Sequence, residues 1–217
     1  MLMGAPGAGK GTQGDMLVER YGWKKVSTGD LLREQIQQGG PKGEELAAII
    51  NKGELVSDAI LAEMISAAAE RFSKETMLLD GFPRSLPQAQ LLEKVCESSK
   101  LLGVFHLEVD PDVLIERLSG RLVCRKCAAS FHIHDLPPKR VESCDHCDGE
   151  LYTRADDKPE KVENRLRVYQ KHTQPVVDYF KKLGCYTAVD GVGSALGVFE
   201  KLHSAVDLKL EALVSQE

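Results

Sequence analysis

A glycine-rich loop near the beginning of the sequence constrains the fold of this chain more than any other feature. The stretch GAPGAGKGT, residues 4–12, follows a short apolar segment and precedes a helical pattern. Glycines let the backbone curl so that its amides point inward, and the N-terminus of the next helix adds positive potential. Lys10 supplies a mobile positive charge to the outer phosphates of a ligand. The order strand, glycine loop and helix therefore predicts a polyphosphate-binding site.

One position of the loop departs from the usual pattern of such sites. Ser or Thr normally follows the lysine directly, whereas here Gly11 follows Lys10 and Thr12 comes next. A glycine-rich turn without a ligand is the alternative interpretation. The spacing of the glycines, the lysine and the strand-to-helix setting favour the phosphate site.

Short apolar runs alternate with longer amphipathic runs along most of the chain. Strand-like runs lie at 1–3, 24–27, 76–80, 103–109 and 185–190, and helix-like runs lie at 10–21, 30–38, 57–71, 86–97, 111–119, 158–182 and 194–213. This repetition predicts an α/β fold, a five-stranded parallel sheet with helices on both faces, whose ligands gather at the carboxyl ends of the strands. Pro175 should kink or split the helix over 158–182.

The alternation stops between Arg121 and Asp157. Polar residues, the stretch LPPK and two paired-cysteine turns, CRKC and CDHC, replace the helical periodicity there. A structureless loop of that length is unusual. We therefore expect an inserted module over 121–157 and a core domain built from 1–120 and 158–217.

The paired cysteines of the insert have the spacing of a metal site. They follow the pattern C-x2-C-x16-C-x2-C, in which each pair places two thiolates on one face of a tight turn, and they are Cys124, Cys127, Cys144 and Cys147. Four thiolates make a closed tetrahedral set for structural zinc, with no open position for catalysis. Two disulfides are one alternative, and replacement of a cysteine by His132, His134 or His146 is another.

The overall charge argues against several classes of partner. The net charge is −5 at pH 7, which gives no broad attraction to nucleic acid or anionic lipid. No apolar run approaches the ~20 residues that span a bilayer. A zinc-ribbon module that binds nucleic acid is the alternative from a different class, but the insert lacks the basic, aromatic-rich surface of such modules. We expect neither nucleic acid nor membrane as a partner.

The start of the chain bears on its location. No secretory leader precedes the first glycines, so reduced thiols and a cytoplasmic location are expected. The opening MLMG leaves about three residues for a first strand, fewer than the usual ~5–6. If residues are missing upstream, a mitochondrial location is the alternative.

Four further stretches complete a family pattern: STGDLLR at 27–33, KGELVSD at 52–58, LLDGFPRSLPQAQ at 78–90 and TRADDKPEKVENRLRVY at 153–169. With the glycine loop they resemble the adenylate kinase family over nearly the whole chain, and DGFPR after such a loop is highly specific. The 121–157 insert resembles the long, zinc-bearing lid of that family. The resemblance implies a monomer that catalyses reversible, magnesium-dependent phosphoryl transfer, ATP + AMP = 2 ADP. Some relatives with this lid use GTP, so GTP:AMP phosphotransfer is the alternative.

The resemblance assigns one group of residues to ATP. The glycine loop would hold the phosphates, Arg117 would lie against the base, and the main chain at Ser130, Phe131 and Gly193 would add contacts. The set implied for ATP is Gly7, Ala8, Gly9, Lys10, Gly11, Thr12, Arg117, Arg121, Ser130, Phe131 and Gly193. For Gly193, a simple turn glycine is the alternative.

A second group is assigned to AMP, with 27–56 as an AMP-binding segment inserted in the core. Gln88 would read the edge of the adenine. The set implied for AMP is Thr28, Arg33, Glu54, Leu55, Val56, Gly81, Phe82, Pro83, Arg84, Gln88, Arg154 and Arg165. Thr28 is also a candidate cap for the helix that follows it.

The residues implied for the chemistry are Lys10, Asp80, Arg84, Arg121, Arg154 and Arg165. The cationic side chains would surround the transferring group, and Asp80 would orient magnesium through water. Phosphoryl transfer needs positioning and dispersed positive charge rather than a covalent nucleophile, so these residue types suit it. Asp80 is alternatively a helix or turn cap. Asp156 and Asp157 belong to the lid-hinge motif of the family and are also candidate caps for the helix at Pro159.

Overall fold

The structure is a computed structural model, and it describes residues 1–52, 54, 56–95 and 101–215. Five parallel strands form the main sheet, and they are β1 (Leu2–Gly4), β2 (Lys24–Ser27), β3 (Met77–Asp80), β4 (Val104–Glu108) and β8 (Tyr186–Asp190). Their order across the sheet is β2-β3-β1-β4-β8. This confirms the predicted fold class. The glycine loop follows the central strand, β1. The chain then forms β2 and β3 on one side of β1, and β4 and β8 on the other side.

The described residues form helices at most of the predicted places. They are α1 (Lys10–Tyr21), α2 (Thr28–Gln38), α3 (Gly40–Asn51), α4 (Asp58–Arg71), α5 (Leu86–Val95), α6 (Pro111–Ser119), α7 (Pro159–Val168), α8 (Gln174–Lys182) and α9 (Ala195–Val214). The sequence did not predict α3, because the run Gly-Gly-Pro-Lys-Gly resembles a loop. Proline is compatible with the first turn of a helix. At Gly43 an added Cβ would lie 3.1 Å from the Gln35 carbonyl oxygen, so a small residue there lets α3 pack on α2.

Alternate residues of the strands point into two separate cores. Met1 and Met3 pack in one apolar cluster, whereas Leu2 packs in the other, on the opposite side of the sheet. Leu79 and Leu78 divide in the same way. Strands of a parallel sheet are apolar on both faces because helices cover both faces, as predicted here.

The long helix-like run over 158–182 is divided, as the presence of Pro175 predicts. A π-helical turn (Tyr169–Thr173) separates α7 from α8 and is closed by a hydrogen bond from the Gln174 amide to the Tyr169 carbonyl. The Thr173 hydroxyl donates to the Arg84 carbonyl at 2.9 Å. The Tyr169 hydroxyl lies 2.7 Å from Nε2 of the buried His106 on β4. The turn therefore connects the helix to two other parts of the fold.

The insert forms a second, antiparallel sheet of three strands in the order β6-β5-β7. They are β5 (Arg121–Cys124), β6 (Ser130–His132) and β7 (Leu151–Tyr152). A small separate core of Cys124, Phe131, Cys144 and Leu151 lies beneath them. A three-ten turn (Ala155–Asp157) then leads into α7. We call residues 121–157 the lid. Within the described part of the chain, no helix is both long and apolar enough to cross a bilayer.

Candidate active site

The glycine loop lies between the end of β1 and the start of α1. Gly9 is the N-cap of α1 and has a φ of 90°, a left-handed conformation that favours glycine. The Lys10 ammonium folds back over the loop and donates to the carbonyls of Gly4 and Ala5, both at 2.9 Å. Backbone amides and this ammonium are thus available to a ligand at the carboxyl edge of the sheet.

A cavity of about 450 Å³ opens beside the loop, and we call it the larger cavity. Its walls come from the glycine loop, α6, the lid and the loop before α9. The structure brings together here every residue that the resemblance assigns to ATP: Gly7, Ala8, Gly9, Lys10, Gly11, Thr12, Arg117, Arg121, Ser130, Phe131 and Gly193. The volume is in the range of nucleotide-sized ligand pockets.

Arg117 connects two parts of the larger cavity that are far apart in sequence. Its guanidinium donates to the Gly191 carbonyl at 3.0 Å and to the Gly193 carbonyl at 3.4 Å. The side chain therefore lies along the loop between β8 and α9. Arg117 and Gly193, which the resemblance assigns to the ATP site, are therefore neighbours in the fold.

A smaller cavity of about 130 Å³ lies on the other side of Lys10. It is lined by most of the residues assigned to AMP: Thr28, Arg33, Glu54, Val56, Gly81, Phe82, Pro83, Arg84 and Arg165. Arg154 lines the larger cavity instead, and Leu55 lies outside the described residues. Gln88 has 0% exposed surface and lines neither cavity.

Thr28 does not cap the helix that it begins. The cap of α2 is Ser27, whose hydroxyl accepts from the Asp30 amide. Thr28 is the first helical residue, and its hydroxyl donates to the Gly81 carbonyl at 3.0 Å. The predicted capping role was wrong because the helix begins at Thr28, two residues earlier than predicted, and the Thr28 side chain instead connects α2 to the DGFPR loop.

Lys10, Arg84 and Arg165 line both cavities and mark the boundary between them. Burial lowers the pKa of Lys10 to about 8; Asp80 opposes this shift, while Arg84 and Arg165 contribute to it. Burial, followed by the charge of Arg165, also lowers the pKa of Arg84. Several cations that repel one another are thus held close together. Such a cluster favours an anionic ligand, which offsets the repulsion.

Asp80 is the last residue of β3 and is 7% exposed. Burial raises its pKa, and the charges of Lys10 and Lys25 oppose that shift. Within the described residues its carboxylate makes no hydrogen bond to an amide at a helix or turn start, so a capping role has no support. A lone carboxylate beside a phosphate site suits Mg²⁺, which takes one or two protein carboxylates and otherwise keeps phosphate and water ligands.

Asp156 and Asp157 bind arginines rather than capping α7. The N-cap of α7 is Lys158, and the helix has no side-chain cap. The Asp157 carboxylate is buried and accepts from Arg121 Nε and Arg165 Nη1, both at 2.8 Å. Asp156 also accepts from Arg165 Nη1 at 3.0 Å. The predicted capping role was wrong because these carboxylates are committed to two arginines.

Arg154 has an unsatisfied group near the same place. Its Nε is buried, and no acceptor among the described residues lies within hydrogen-bonding distance. Burial, together with the charges of Arg121 and Arg33, lowers the pKa of Arg154 to about 10. A buried guanidinium donor without a partner is costly in a folded protein. A phosphate oxygen in the larger cavity would satisfy it.

Sequence reasoning missed several residues that line the cavities. Asp30 and His132 line the larger cavity, and Tyr169 and Thr173 line the smaller one. Asp30 follows Thr28 in the same motif and is paired with Arg33. Tyr169 and Thr173 follow Arg165 at intervals of four residues, so helical spacing from that arginine was a signal that would have found them.

The four cysteines of the lid come together in space. Their sulfur atoms all lie within 4.8 Å of one another, and the pairs Cys124–Cys147 and Cys127–Cys144 are 3.5 and 3.6 Å apart. A tetrahedral zinc site with bonds of about 2.3 Å requires sulfur separations of about 3.8 Å. A disulfide would require about 2.05 Å. The cluster can therefore hold a metal ion, and the described cysteines are not disulfide-bonded.

The two cysteine turns have the same local geometry. The amides of Lys126 and His146 donate to the sulfurs of Cys124 and Cys144, at 3.3 and 3.4 Å. The residue after the second cysteine of each turn, Ala128 or Asp148, has a positive φ. Equivalent turns with amide donors to sulfur are the arrangement expected around bound thiolates. None of His132, His134 and His146 belongs to the group of candidate ligands.

The sheet, the glycine loop and the cationic boundary between two cavities define a P-loop phosphotransferase of the nucleoside monophosphate kinase class. The family model described as adenylate kinase matches residues 2–185. The chain is 44% identical to an adenylate kinase of Methanosarcina mazei over 209 residues, covering 95% of this chain and 97% of the relative. It is also 44% identical to an adenylate kinase of Carboxydothermus hydrogenoformans over 212 residues, covering 95% and 98%. The chain belongs to the adenylate kinase family.

Proposed function

We propose that this protein transfers a phosphoryl group reversibly between ATP and AMP, giving two ADP. One observation carries the proposal: two cavities meet at Lys10, Arg84 and Arg165. A phosphoryl group that passes from one nucleotide to the other must cross such a boundary. The names of the relatives, all adenylate kinases, support the same reaction.

ATP occupies the larger cavity in this proposal. The amides of the glycine loop and Lys10 hold its phosphates, and the main chain beside Arg117 and Gly193 receives its base. AMP occupies the smaller cavity, where Thr28 and Val56 line the wall and Arg33 and Arg84 face its phosphate. The adenine lies toward Gln88, which is buried in this structure and must become accessible when AMP binds.

The transfer itself needs no covalent intermediate with the protein. An oxygen of the AMP phosphate attacks the γ-phosphorus of ATP in line, and the bond to the bridging oxygen of the ADP leaving group breaks. Lys10, Arg84 and Arg165 stabilise the charge on the transferring oxygens, and Arg121 and Arg154 approach from the lid. Preorganised positive charge is the main contribution of the protein to reactions of this type.

Two metal ions belong to the proposal, in different roles. The Asp80 carboxylate would hold Mg²⁺ through water, and the ion would neutralise charge on the phosphates. The four lid cysteines, Cys124, Cys127, Cys144 and Cys147, would hold one structural zinc ion. That site has four protein ligands and no open position for a substrate, so its contribution is to stability.

The lid must close before the transfer. Arg121 begins β5 and Arg154 follows β7, so both lie at the end of the lid that joins the core, where they line the larger cavity and can reach the phosphates. Closure also excludes water, which would otherwise compete with AMP for the phosphoryl group. The proposed division has a core of 1–120 and 158–217, with 27–56 as the AMP-binding segment and 121–157 as the lid. One chain contains all of these parts, so a monomer suffices.

A coupled assay for ADP formation tests the substrate assignment. AMP should be the preferred acceptor, with UMP and CMP far slower, because adenine-sized apolar walls and Gln88 suit no pyrimidine. Equal turnover of UMP or CMP would contradict the AMP site. The same assay at fixed AMP compares ATP with GTP as donor. A clear preference for GTP would favour the alternative of the same fold, GTP:AMP phosphotransfer.

A further inference from the structure

A carboxylate from outside both cavities holds the Gln88 side chain. The Gln88 amide nitrogen Nε2 donates to Asp58 Oδ1 at 2.6 Å, and its Oε1 accepts from the Arg84 backbone amide at 2.7 Å. Asp58 begins α4, and Gln88 lies in α5. Asp58 Oδ1 also accepts from the Ser85 hydroxyl at 3.1 Å. Asp58 does not line either cavity, and nothing in the reaction itself requires it.

These contacts fix which way round the side-chain amide of Gln88 points. An ionised carboxylate only accepts hydrogen bonds, so Asp58 must face the NH₂ group. The Arg84 amide only donates, so it must face the oxygen. Gln88 is fully buried, and a flipped amide would place oxygen against carboxylate and NH₂ against N–H. Both contacts would be repulsive in a place without water.

The orientation matters because a side-chain carboxamide can pair only with a purine whose donor and acceptor are complementary to its own oxygen and N–H. After its two protein contacts, the Gln88 amide has one N–H and one oxygen lone pair left. Adenine presents an N–H₂ donor at position 6 and an acceptor at N1, which suit that oxygen and that N–H. Hypoxanthine and guanine present the reverse, an acceptor at O6 and a donor at N1. They match only the flipped amide.

We propose that Asp58 is a positioning residue that sets base specificity at the acceptor site, by locking the Gln88 amide in the orientation that accepts adenine and rejects 6-oxopurines. The inference rests on the proposed role of Gln88 beside the AMP base. Ser85 belongs to the same unit, because its hydroxyl donates to Asp58 and accepts from the backbone N–H of Gln88 at 3.3 Å. The carboxylate is thereby held in place while it holds Gln88.

A purely structural role for Asp58 makes a different prediction. If the carboxylate only joined α4 to α5, its loss would lower stability and would reduce turnover of every acceptor by the same factor. If Asp58 fixes the orientation of the Gln88 amide, its loss should change the turnover of different nucleotide acceptors by different factors. Sites that read hydrogen-bonding groups discriminate strongly because a wrong ligand leaves buried groups unpaired. The ratio between two acceptors therefore separates the two roles.

The experiment measures kcat/KM for AMP and for inosine 5′-monophosphate (IMP) with the full chain and the variant Asp58→Asn. IMP has the size of AMP but the hydrogen-bonding order of guanine at positions 6 and 1. Asparagine keeps the shape of aspartate but offers an NH₂ group as well as an oxygen, so it can face either end of the Gln88 amide, and only the Arg84 backbone amide still favours the original orientation. Both acceptors are measured on one preparation, so any inactive fraction cancels in the ratio.

We expect the AMP/IMP ratio of kcat/KM to fall about tenfold or more in Asp58→Asn, the size of one hydrogen bond to a charged group. The matched control is Asp112→Asn, the same change in the first turn of α6 on an exposed residue, and it should leave the ratio unchanged. If asparagine impairs folding, Asp58→Ser makes the same test, because a hydroxyl also donates or accepts.

The experiment distinguishes a failure of the proposed role of Gln88 from a failure of the proposed role of Asp58. A wild-type enzyme that uses AMP and IMP equally well would contradict the proposed role of Gln88 in reading adenine. A wild-type enzyme that discriminates, with an unchanged ratio in both Asp58 variants, would overturn the role of Asp58 alone. An equal loss for both acceptors together with a lower melting temperature would assign Asp58 a structural role.

Discussion

Replacement of Asp157 by asparagine should destabilise the protein, and the structure gives the size of the effect. The Asp157 side chain is fully buried and binds both Arg121 and Arg165, whose side chains are only 19% and 17% exposed. Solvent therefore screens this cluster weakly. Asparagine keeps the volume and one acceptor but removes the counter-charge of Arg121, whereas Arg165 keeps its ion pair with Asp156.

Removal of one partner from a buried ion pair costs about 3–5 kcal/mol, and the lower end applies here because asparagine retains one hydrogen bond. For a chain of this length each kcal/mol lowers the melting temperature by about 2–4 °C. The expected decrease for Asp157→Asn is then about 6–12 °C. Calorimetry of the protein without nucleotide measures it.

Asp148→Asn is the matched control for this prediction. Asp148 pairs with Arg140, and both side chains are mostly exposed, at 72% and 64%. An exposed pair contributes about 0–1 kcal/mol, so the control should melt within about 4 °C of the wild type. A dinucleotide polyphosphate that bridges both cavities should reduce the deficit of Asp157→Asn, since its phosphates supply negative charge to the same arginines. A melting temperature of Asp157→Asn equal to that of the control would refute this reasoning.

Four further predictions follow from the site and the core. Arg84→Ala should lower kcat by about 10³-fold or more, the usual effect of a cation on the transferring group; a loss below tenfold would remove it from the site. Binding of ATP should take up protons above pH 8, because phosphate raises the pKa of Lys10 from about 8; calorimetry in buffers of different ionisation enthalpy would show no difference if this is wrong. Burial lowers the pKa of His106 below its ordinary 6.5, with Glu108 opposing the shift. The unfolded chain then binds more protons, so the free energy of unfolding should fall as the pH drops below about 6.5, and His106→Asn should flatten that slope. Chelation of zinc, or Cys144→Ser, should lower the melting temperature while low-temperature turnover changes little, and elemental analysis should find about one zinc per chain.

Local patterns predicted most of the core of this fold. The predicted helix over 10–21 agrees with α1 (Lys10–Tyr21), because a glycine loop, an amphipathic run and Gly22 define both ends. The five strands were recognisable because buried parallel strands are short apolar runs between helices. The helix α3 was missed because its glycines and proline favour loops locally, and its packing on α2 is a tertiary effect.

The parts of the site that escaped prediction depend on contacts between distant residues. Asp157 was a candidate helix cap from its neighbours in sequence, but Arg121, 36 positions earlier, binds it instead. Gln88 was assigned to the adenine edge, and no local signal indicated that Asp58 would hold its amide. The cysteine cluster was predictable because the spacing of its ligands encodes the geometry directly.

The π-helical turn between α7 and α8 has a consequence for the relation between the site and the core. A regular helix advances about 100° per residue, and a π turn contains one residue more than an α turn. The extra residue shifts the phase of the helix, so that Arg165 lines the two cavities while Val176, Val177 and Phe180, at 0%, 0% and 1% exposure, point into the core. Deletion of one residue from Tyr169–Thr173 would remove this phase shift and rotate one of these two faces out of place. We therefore expect a change in the length of this turn to be more damaging than a substitution at an exposed position within it.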